Sequence, residues 1–173
     1  MKPSEINTSS DKERAHKYCS NFYDNALAKY KDKPINLFEI GIDSGGSIRM
    51  WREYFTQAKI YCMDINQGAV GFVNDIDVTA LVGNAYDPTV IDTLPNFDIV
   101  IDDGPHTEES QLKCLDLYIP KLNTGGMLVI EDILDERSVD KFKLRVPLNC
   151  YIEVRDIRPK SGLPESILFI VRK

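Results

Sequence analysis

The chain has 173 residues, of which 43% are hydrophobic and 28% are charged, and its formal net charge is −6. This length and composition are typical of one globular domain with a continuous core. The acidic balance, without a Lys/Arg cluster, argues against a surface for nucleic acid or for anionic membranes. No apolar run approaches the roughly 18 residues of a membrane span.

Four cysteines are spread along the chain, and none belongs to a C-x-x-C pair. They are Cys19, Cys62, Cys114 and Cys150. Three of them fall in apolar periodic patterns, which predicts buried free thiols in a reducing compartment. The first residues do not have the pattern of a signal peptide, so the expected location is the cytoplasm.

The first predicted element is an amphipathic helix over about 10–31. Ser10 and Glu13 form a capping-box pattern at its start, and apolar residues then recur at helical spacing until the chain reaches Pro34. His16 is expected to be a partly exposed residue of this helix.

Strands and helices alternate along the rest of the chain. Short apolar runs between turn residues predict strands, and apolar residues at helical spacing predict helices. The predicted strands cover about 35–40, 60–64, 78–82, 97–101, 127–130, 150–157 and 166–171. The predicted helices between them cover about 48–55, 69–74, 87–94, 107–119 and 135–145.

This alternation predicts an α/β domain with a doubly wound, mostly parallel sheet of seven strands. The last two predicted strands flank a loop over 158–165 with proline and glycine, which indicates a hairpin. One antiparallel strand is therefore expected in the region of one edge. No repeat or linker divides the chain, so the prediction is a single compact domain over 1–173.

A glycine-rich turn follows the first strand, where the sequence reads FEIGIDSGGS. A strand that leads through such a turn into a helix presents free backbone N–H groups to a ligand. The spacing Gly41-x-x-x-Gly45-Gly46 differs from the G-x-G-x-x-G of dinucleotide folds, and it lacks the Lys-Ser/Thr of a P-loop. Tight packing without a ligand is the alternative.

Polar side chains lie at or just after the carboxyl ends of the predicted parallel strands, with the first of them just before the glycine turn. They are Glu39, Asp64, Asn84, Asp102, Asp103, Glu131 and Asp132. The carboxyl ends of parallel strands share one edge of the sheet, and neighbouring strands are roughly 4.8 Å apart, so these groups are expected to crowd one cleft. Like charges at that spacing repel unless a cation, a hydrogen-bonded ligand or a proton intervenes.

Different members of this set suit different ligands. Asp64 follows Gly41 by 23 residues, an interval typical of an acid that binds ribose hydroxyls in NAD or in S-adenosylmethionine. Asn84 could contact an adenine ring or be an ordinary turn residue. The oxygen ligands of Asp103, Glu131 and Asp132 suit a hard cation such as Mg²⁺. Solvated strand ends and helix caps are the alternatives.

His106 lies three residues past Asp103, where the fourth strand gives way to the next helix. An imidazole near a divalent ion could take the proton of a substrate hydroxyl. A hydrogen bond within the loop is the alternative role.

Several stretches together resemble the Rossmann-like, S-adenosylmethionine-dependent O-methyltransferases of the macrocin and mycinamicin type. They are FEIGIDSGG with Trp51, YCMD, DIVIDDGPH and GGMLVIED. The segment Ser10-Asp11-Lys12, with His16 and Tyr18, also looks like the N-terminal region of that family. The resemblance covers about 10–135.

The resemblance implies the class I methyltransferase fold and methyl transfer from S-adenosyl-L-methionine to a hydroxyl of a small, sugar-like or natural-product acceptor. It implies Mg²⁺ at Asp103, Glu131 and Asp132, with His106 as the catalytic base. It also implies cofactor contacts at Glu39, Gly41, Ser44, Gly45, Asp64, Asn84 and Asp102.

Two features depart from the family pattern. Asn84 stands where relatives often carry an acidic residue, and the chain lacks the extra domain or long lid of the macrolide-sugar enzymes. The alternatives are a non-catalytic cofactor-binding domain, which the absence of a long lid favours, and an NAD-dependent oxidoreductase, which the glycine spacing disfavours. Contacts in a homo-oligomer or the loop over 158–165 are expected to cover the site, and no nucleic-acid or membrane partner is expected.

Overall fold

The computed structural model describes all 173 residues, Met1 to Lys173. Its seven strands are β1 (Asn36–Ile40), β2 (Lys59–Asp64), β3 (Thr79–Val82), β4 (Phe97–Asp102), β5 (Leu122–Ile130), β6 (Tyr151–Asp156) and β7 (Ile167–Arg172). They form one sheet in the order β3-β2-β1-β4-β5-β7-β6.

The direction of the strands confirms the predicted fold class. The pairs from β3 through β5 are all parallel, and β7 is antiparallel to both β5 and β6. The antiparallel strand lies second from the edge, because the final hairpin places β7 against β5 and leaves β6 outside.

The helices are mostly short, and none is both long and apolar enough to cross a membrane. They are α1 (Asp11–Arg14), α2 (Asp24–Ala26), α3 (Gly46–Tyr54), α4 (Gln67–Gly71), α5 (Pro88–Ile91), α6 (Glu108–Tyr118), α7 (Ser138–Lys143) and α8 (Arg158–Ser161). A π-helical turn over Cys19–Tyr23 leads into α2, and 3₁₀ turns cover Pro3–Glu5 and Ala28–Tyr30.

Two apolar cores lie on opposite faces of the sheet, because successive strand residues point to opposite sides. Leu37 packs with the N-terminal segment, α3 and α4. Phe38, the next residue of β1, packs with α5, α6 and α7. Both faces are thus covered, as expected of a three-layer α/β domain.

The predicted helix over about 10–31 is interrupted in the structure. Helix α1 ends at Arg14, and Lys17 has a φ of 61°, a left-handed conformation through which an α-helix does not continue. The chain then re-forms helical turns from Cys19 onward. Helical spacing alone did not show this break. The residues on either side of Lys17 contact Asp132, which is distant in the sequence and follows β5.

Two further boundaries differ from the prediction. Asn123–Gly126, predicted to end a helix, lies inside β5, where the register with β4 shifts and Gly125 has a φ of 81°. The loop predicted over 158–165 contains the single turn α8. Glycine-rich and proline-rich stretches favour turns, but neighbouring strands can still pair through an irregular segment.

Candidate functional site

A cavity of about 980 Å³ opens at the carboxyl ends of the parallel strands. This volume suits a nucleoside-sized ligand, and the edge is the one where open α/β sheets bind small molecules. Four predicted cofactor residues line the cavity, namely Gly41, Ser44, Asp64 and Asn84. The same lining includes Asp103, His106 and Asp132.

The glycine turn after β1 is shaped by close backbone packing. Gly41 has a φ of 90°, and a Cβ there would overlap the carbonyl oxygen of Asp103. Gly45 has a φ of 79°, precedes α3 as its N-cap, and packs against Val73, whose Cγ1 would lie 2.7 Å from an added Cβ. Gly45 is therefore buried in the turn and does not line the cavity.

Asp64 ties the end of β2 to this turn. Its Oδ2 accepts a hydrogen bond of 2.9 Å from the N–H of Ile42, and its Oδ1 accepts one of 2.8 Å from the N–H of Asn66. A carboxylate has about four acceptor positions, so capacity remains for ligand hydroxyls. Asn84 similarly accepts from the N–H of Tyr86 at 3.0 Å, so it closes a turn while it lines the cavity.

Glu39 and Asp102 lie beneath the cavity and do not line it. The indole N–H of Trp51 donates to Glu39 Oε2. The hydroxyl of Tyr86 donates to Asp102 Oδ1 at 2.6 Å. Burial raises the pKa of Asp102 to about 6, although the hydrogen bond from Tyr86 opposes the change. A direct cofactor contact of either acid stays a prediction.

Asp103, His106 and Asp132 meet at the cavity wall. One potential ligand atom from each lies within 4.8 Å of the others, and His106 Nε2 is 3.8 Å from both Asp103 Oδ1 and Asp132 Oδ2. The φ angles of His106 and Asp132 are 56° and 53°. Such left-handed residues carry strain of order 1–3 kcal/mol and occur often at functional sites.

This group of two carboxylates and one imidazole fits two kinds of chemistry. Oxygen donors with a histidine nitrogen can hold a divalent cation. An imidazole between carboxylates can also accept a proton from a bound hydroxyl. The geometry is compatible with both roles.

Glu131, the third predicted metal ligand, is placed differently. It is 1% exposed and does not line the cavity. Its Oε2 accepts from the ammonium of Lys12, and its Oε1 accepts from the hydroxyl of Tyr23. In this arrangement Glu131 is not one of the carboxylates that meet beside His106.

The N-terminal segment contributes contacts that the strand-end pattern did not include. Tyr18 donates to Asp132 Oδ1 at 2.5 Å, and His16 Nδ1 lies 3.2 Å from the same oxygen and 3.1 Å from Ser166 Oγ. His16 is buried, so the expectation that it is partly exposed is wrong. Burial raises the pKa of Tyr18, whose hydroxyl therefore remains a donor.

One sequence signal could have identified Lys12. Helical spacing places it on the same face as Ala15 and Cys19, which is the apolar face of the predicted helix. A lysine on an apolar face requires a buried partner. The likeness of the segment from Ser10 to Tyr18 to the N-terminal region of a known family pointed to the same stretch.

Comparison with known proteins identifies the family. A family model described as a methyltransferase domain matches residues 38–133. The chain is 34% identical over 122 residues to demethylmacrocin O-methyltransferase of Streptomyces fradiae, covering 64% of this chain and 30% of the relative. It is 32% identical over 135 residues to 8-demethyl-8-alpha-L-rhamnosyl tetracenomycin-C 2'-O-methyltransferase of Streptomyces olivaceus, covering 72% and 35%.

A solved structure shows the same relationship. MycE methyltransferase from the mycinamycin biosynthetic pathway, in complex with Mg, SAH and mycinamycin VI, superposes with a TM-score of 0.62 and 29% identity. The alignment covers 67% of this chain and 34% of that one. The chain thus spans about a third of the length of these relatives, and the resemblance found in the sequence is confirmed.

Proposed function

The chain belongs to the methyltransferase domain family, and on that premise we propose that it is an S-adenosylmethionine-dependent O-methyltransferase for a small acceptor. The observation that carries the proposal is the cavity at the strand ends, where the glycine turn and Asp64 adjoin the group of Asp103, His106 and Asp132. The proposed donor site and the proposed proton-accepting site are therefore adjacent.

The chain's own residues suit the binding of the methyl donor. The backbone of Gly41 allows close approach at the turn, and the Asp64 carboxylate suits the hydroxyls of the ribose. Ser44 and Asn84 add polar groups to the same wall. Asp102 supports this wall from beneath through the bond that it accepts from Tyr86, a lining residue, while Glu39 accepts from the buried Trp51. S-adenosylmethionine supplies the methyl group.

The cavity wall also suits a divalent ion, and we propose Mg²⁺ as a second cofactor. Asp103 and Asp132 would hold it from the cavity side, and the sequence-based ligand set adds Glu131. When bound, such an ion supplies Lewis acidity that lowers the pKa of an acceptor hydroxyl. MycE, the similar solved structure, is described as a complex with Mg.

His106 is proposed as the base that takes the proton from the acceptor hydroxyl. Its ring borders the cavity, and one carboxylate oxygen each of Asp103 and Asp132 lies 3.8 Å from Nε2. Those carboxylates would stabilise the imidazolium that forms when the proton arrives. Positioning by the rigid strand ends supplies much of the rate advantage in such displacements.

The acceptor class is proposed from the relatives. Their names describe O-methyl transfer to demethylmacrocin and, at a 2' position, to a rhamnosyl tetracenomycin. We infer a sugar-like or polyhydroxylated natural product as the acceptor. A cytoplasmic location, a homo-oligomer and the absence of a nucleic-acid partner remain predictions.

Calorimetry with S-adenosylhomocysteine, with and without Mg²⁺, tests the donor site first. Binding of S-adenosylhomocysteine without binding of NADH supports the proposal, and the reverse result identifies an oxidoreductase. A transfer assay with labelled S-adenosylmethionine and a panel of sugar hydroxyls follows. Tight donor binding with no transfer to any acceptor would favour the non-catalytic cofactor-binding domain.

A further inference from the structure

Strand β6 (Tyr151–Asp156) forms one edge of the sheet and pairs only with β7. Tyr151 is 80% exposed, and Ile152 and Val154 are each 40% exposed, so apolar side chains of this strand meet solvent on both faces. The strand at the other edge, β3, has only four residues. An exposed edge strand with apolar side chains is a template for pairing with another chain.

The backbone of β6 presents hydrogen-bonding groups to the free edge at alternate residues. The N–H of Ile157 donates to the carbonyl of Ser166 at 2.8 Å, so in this antiparallel pair the odd-numbered residues bond to β7. The N–H and C=O groups of Ile152, Val154 and Asp156 therefore point away from β7. A strand that pairs with this edge has to bond to these three residues.

Two opposite charges lie on the same face of β6, two residues apart. Glu153 and Arg155 point to one side of the sheet because side chains alternate along a strand, and Arg155 Nε is 2.5 Å from Glu153 Oε1. Charged side chains usually discourage pairing at an edge. About a twofold axis, however, this pattern is complementary to itself, because the glutamate of one copy lies opposite the arginine of the other.

The backbone and the charges together select one register for a second copy. Two identical antiparallel strands pair about a twofold axis, and the outward groups meet each other only when a residue lies opposite itself. With Val154 at the axis, Glu153 lies opposite Arg155, and the outward groups of Val154 bond to those of its equivalent. An axis at Glu153 or at Arg155 places like charges opposite each other, which destabilises a strand pair.

The register about Val154 also covers exposed apolar side chains. Val154 lies opposite its equivalent, and Ile152 of one copy is the diagonal neighbour of Val154 of the other, within reach of contact. Both side chains lie on the face opposite Glu153 and Arg155, because side chains alternate along the strand. Their removal from water adds a hydrophobic contribution to the backbone pairing.

We propose that β6 is the interface of a twofold-symmetric homodimer, in which two copies of the strand pair antiparallel about Val154 and the two sheets become continuous. The partner is a second copy of this chain, because the charge pattern of the strand is complementary to itself. No residue of β6 lines the cavity, so the inference goes beyond the proposed function and does not depend on it.

The first test is the mass of the protein in solution, measured by sedimentation velocity over a range of concentrations. The unmodified protein should form a dimer. Val154→Lys places two ammonium groups opposite each other and should raise the dimer dissociation constant by about tenfold or more. Val82→Lys is the matched control, since Val82 is an exposed valine of the other edge strand, and its dimer should be unchanged.

The second test is a disulfide cross-link that reports the register. Glu153→Cys and Arg155→Cys are made separately in a Cys150→Ser background, because Cys150 is partly exposed. Directly opposite residues of this kind have Cα atoms roughly 4.5 Å apart, within disulfide reach, whereas diagonal residues are roughly 7–8 Å apart. Oxidation of the mixed variants should give a cross-linked dimer, and oxidation of either variant alone should give none.

Several outcomes overturn the proposal. An unmodified protein that stays monomeric at high micromolar concentration has no such interface, and a dimer that survives Val154→Lys uses another surface. Self-cross-linking of Glu153→Cys places the axis at Glu153 instead. If circular dichroism shows that Val154→Lys does not fold, cross-linking of the mixed variants decides. None of these readouts uses a methyl donor or a metal, so failure of the proposed function leaves them unchanged.

Discussion

Gly41 packs directly against the backbone of Asp103, so that the turn after β1 and the segment after β4 are in contact. A Cβ on Gly41 would overlap the carbonyl oxygen of Asp103, and the N–H of Asp103 donates to the carbonyl of Ile40 at 3.0 Å. The proposed donor site and the group of Asp103, His106 and Asp132 therefore share one piece of backbone. A change on one side should displace the other.

Gly41→Ala should destabilise the fold and weaken S-adenosylhomocysteine binding. The substitution adds an overlap with Asp103 and places an alanine at a φ of 90°. Together these effects should lower the free energy of unfolding by on the order of 3 kcal/mol. Denaturant unfolding measures the loss. Gly71→Ala is the control, since a Cβ there meets nothing within 4 Å. Similar unfolding midpoints for the two variants would contradict the packing described.

His106→Asn should abolish most turnover while the donor still binds. Asparagine tolerates the left-handed backbone of this position better than alanine does, so the loss reports the imidazole rather than strain. We expect turnover to fall by about 100-fold or more, with S-adenosylhomocysteine affinity within about twofold. His106→Ala gives the same chemical loss with a lower melting temperature. Retained turnover in both variants removes His106 from the role of base.

Asp64→Asn should lower S-adenosylhomocysteine affinity by about tenfold or more, because hydrogen bonds to a charged acceptor are worth about 1.5–3 kcal/mol. The neutral amide also weakens the bonds from the N–H groups of Ile42 and Asn66. Asp156→Asn is the matched control, since Asp156 closes a similar turn with Arg158 away from the cavity. An equal affinity for the Asp64 and Asp156 variants in calorimetry would place the donor elsewhere.

Only one thiol of the native protein should react quickly with a disulfide reagent. Cys19, Cys62 and Cys114 are buried, as the apolar pattern predicted, and Cys150 is partly exposed. Burial raises the pKa of Cys62 to about 12, so this thiol stays protonated and unreactive even at about pH 9. Titration with the disulfide reagent should detect one fast thiol in the native unmodified protein and none in native Cys150→Ser. In denaturant, all four thiols of the unmodified protein should react. Rapid reaction of a second native thiol contradicts this packing.

Much of the fold was predictable because its signals are local. The alternation of apolar runs and turns located all seven strands to within a few residues, apart from the start of β5. The break at Lys17 was not predictable in this way, because helical spacing continues through it while the backbone does not. The residues on either side of Lys17, His16 and Tyr18, both contact Asp132, just beyond the end of β5.

The location of the candidate site residues was predictable in part, and their roles stay predictions. The cavity is lined by predicted residues from several strand ends, since parallel strands bring their carboxyl ends to one edge. They are Gly41, Ser44, Asp64, Asn84, Asp103, His106 and Asp132. The same rule could not distinguish side chains that face the cavity from those that face inward. Glu39, Asp102 and Glu131 follow or end strands like the others, yet they are buried beneath the surface of the cavity.

The sequence by itself determined the sheet, the glycine turn and the edge at which the acids gather, because periodicity and chain topology fix these features. Only the tertiary structure decided that Lys12, 119 positions before Glu131, occupies the centre of the acidic cluster. The reason is physical: a buried ammonium and its carboxylates are paired by charge and by available space. Helical spacing shows only that Lys12 requires a buried partner, and it does not show which carboxylates are that partner.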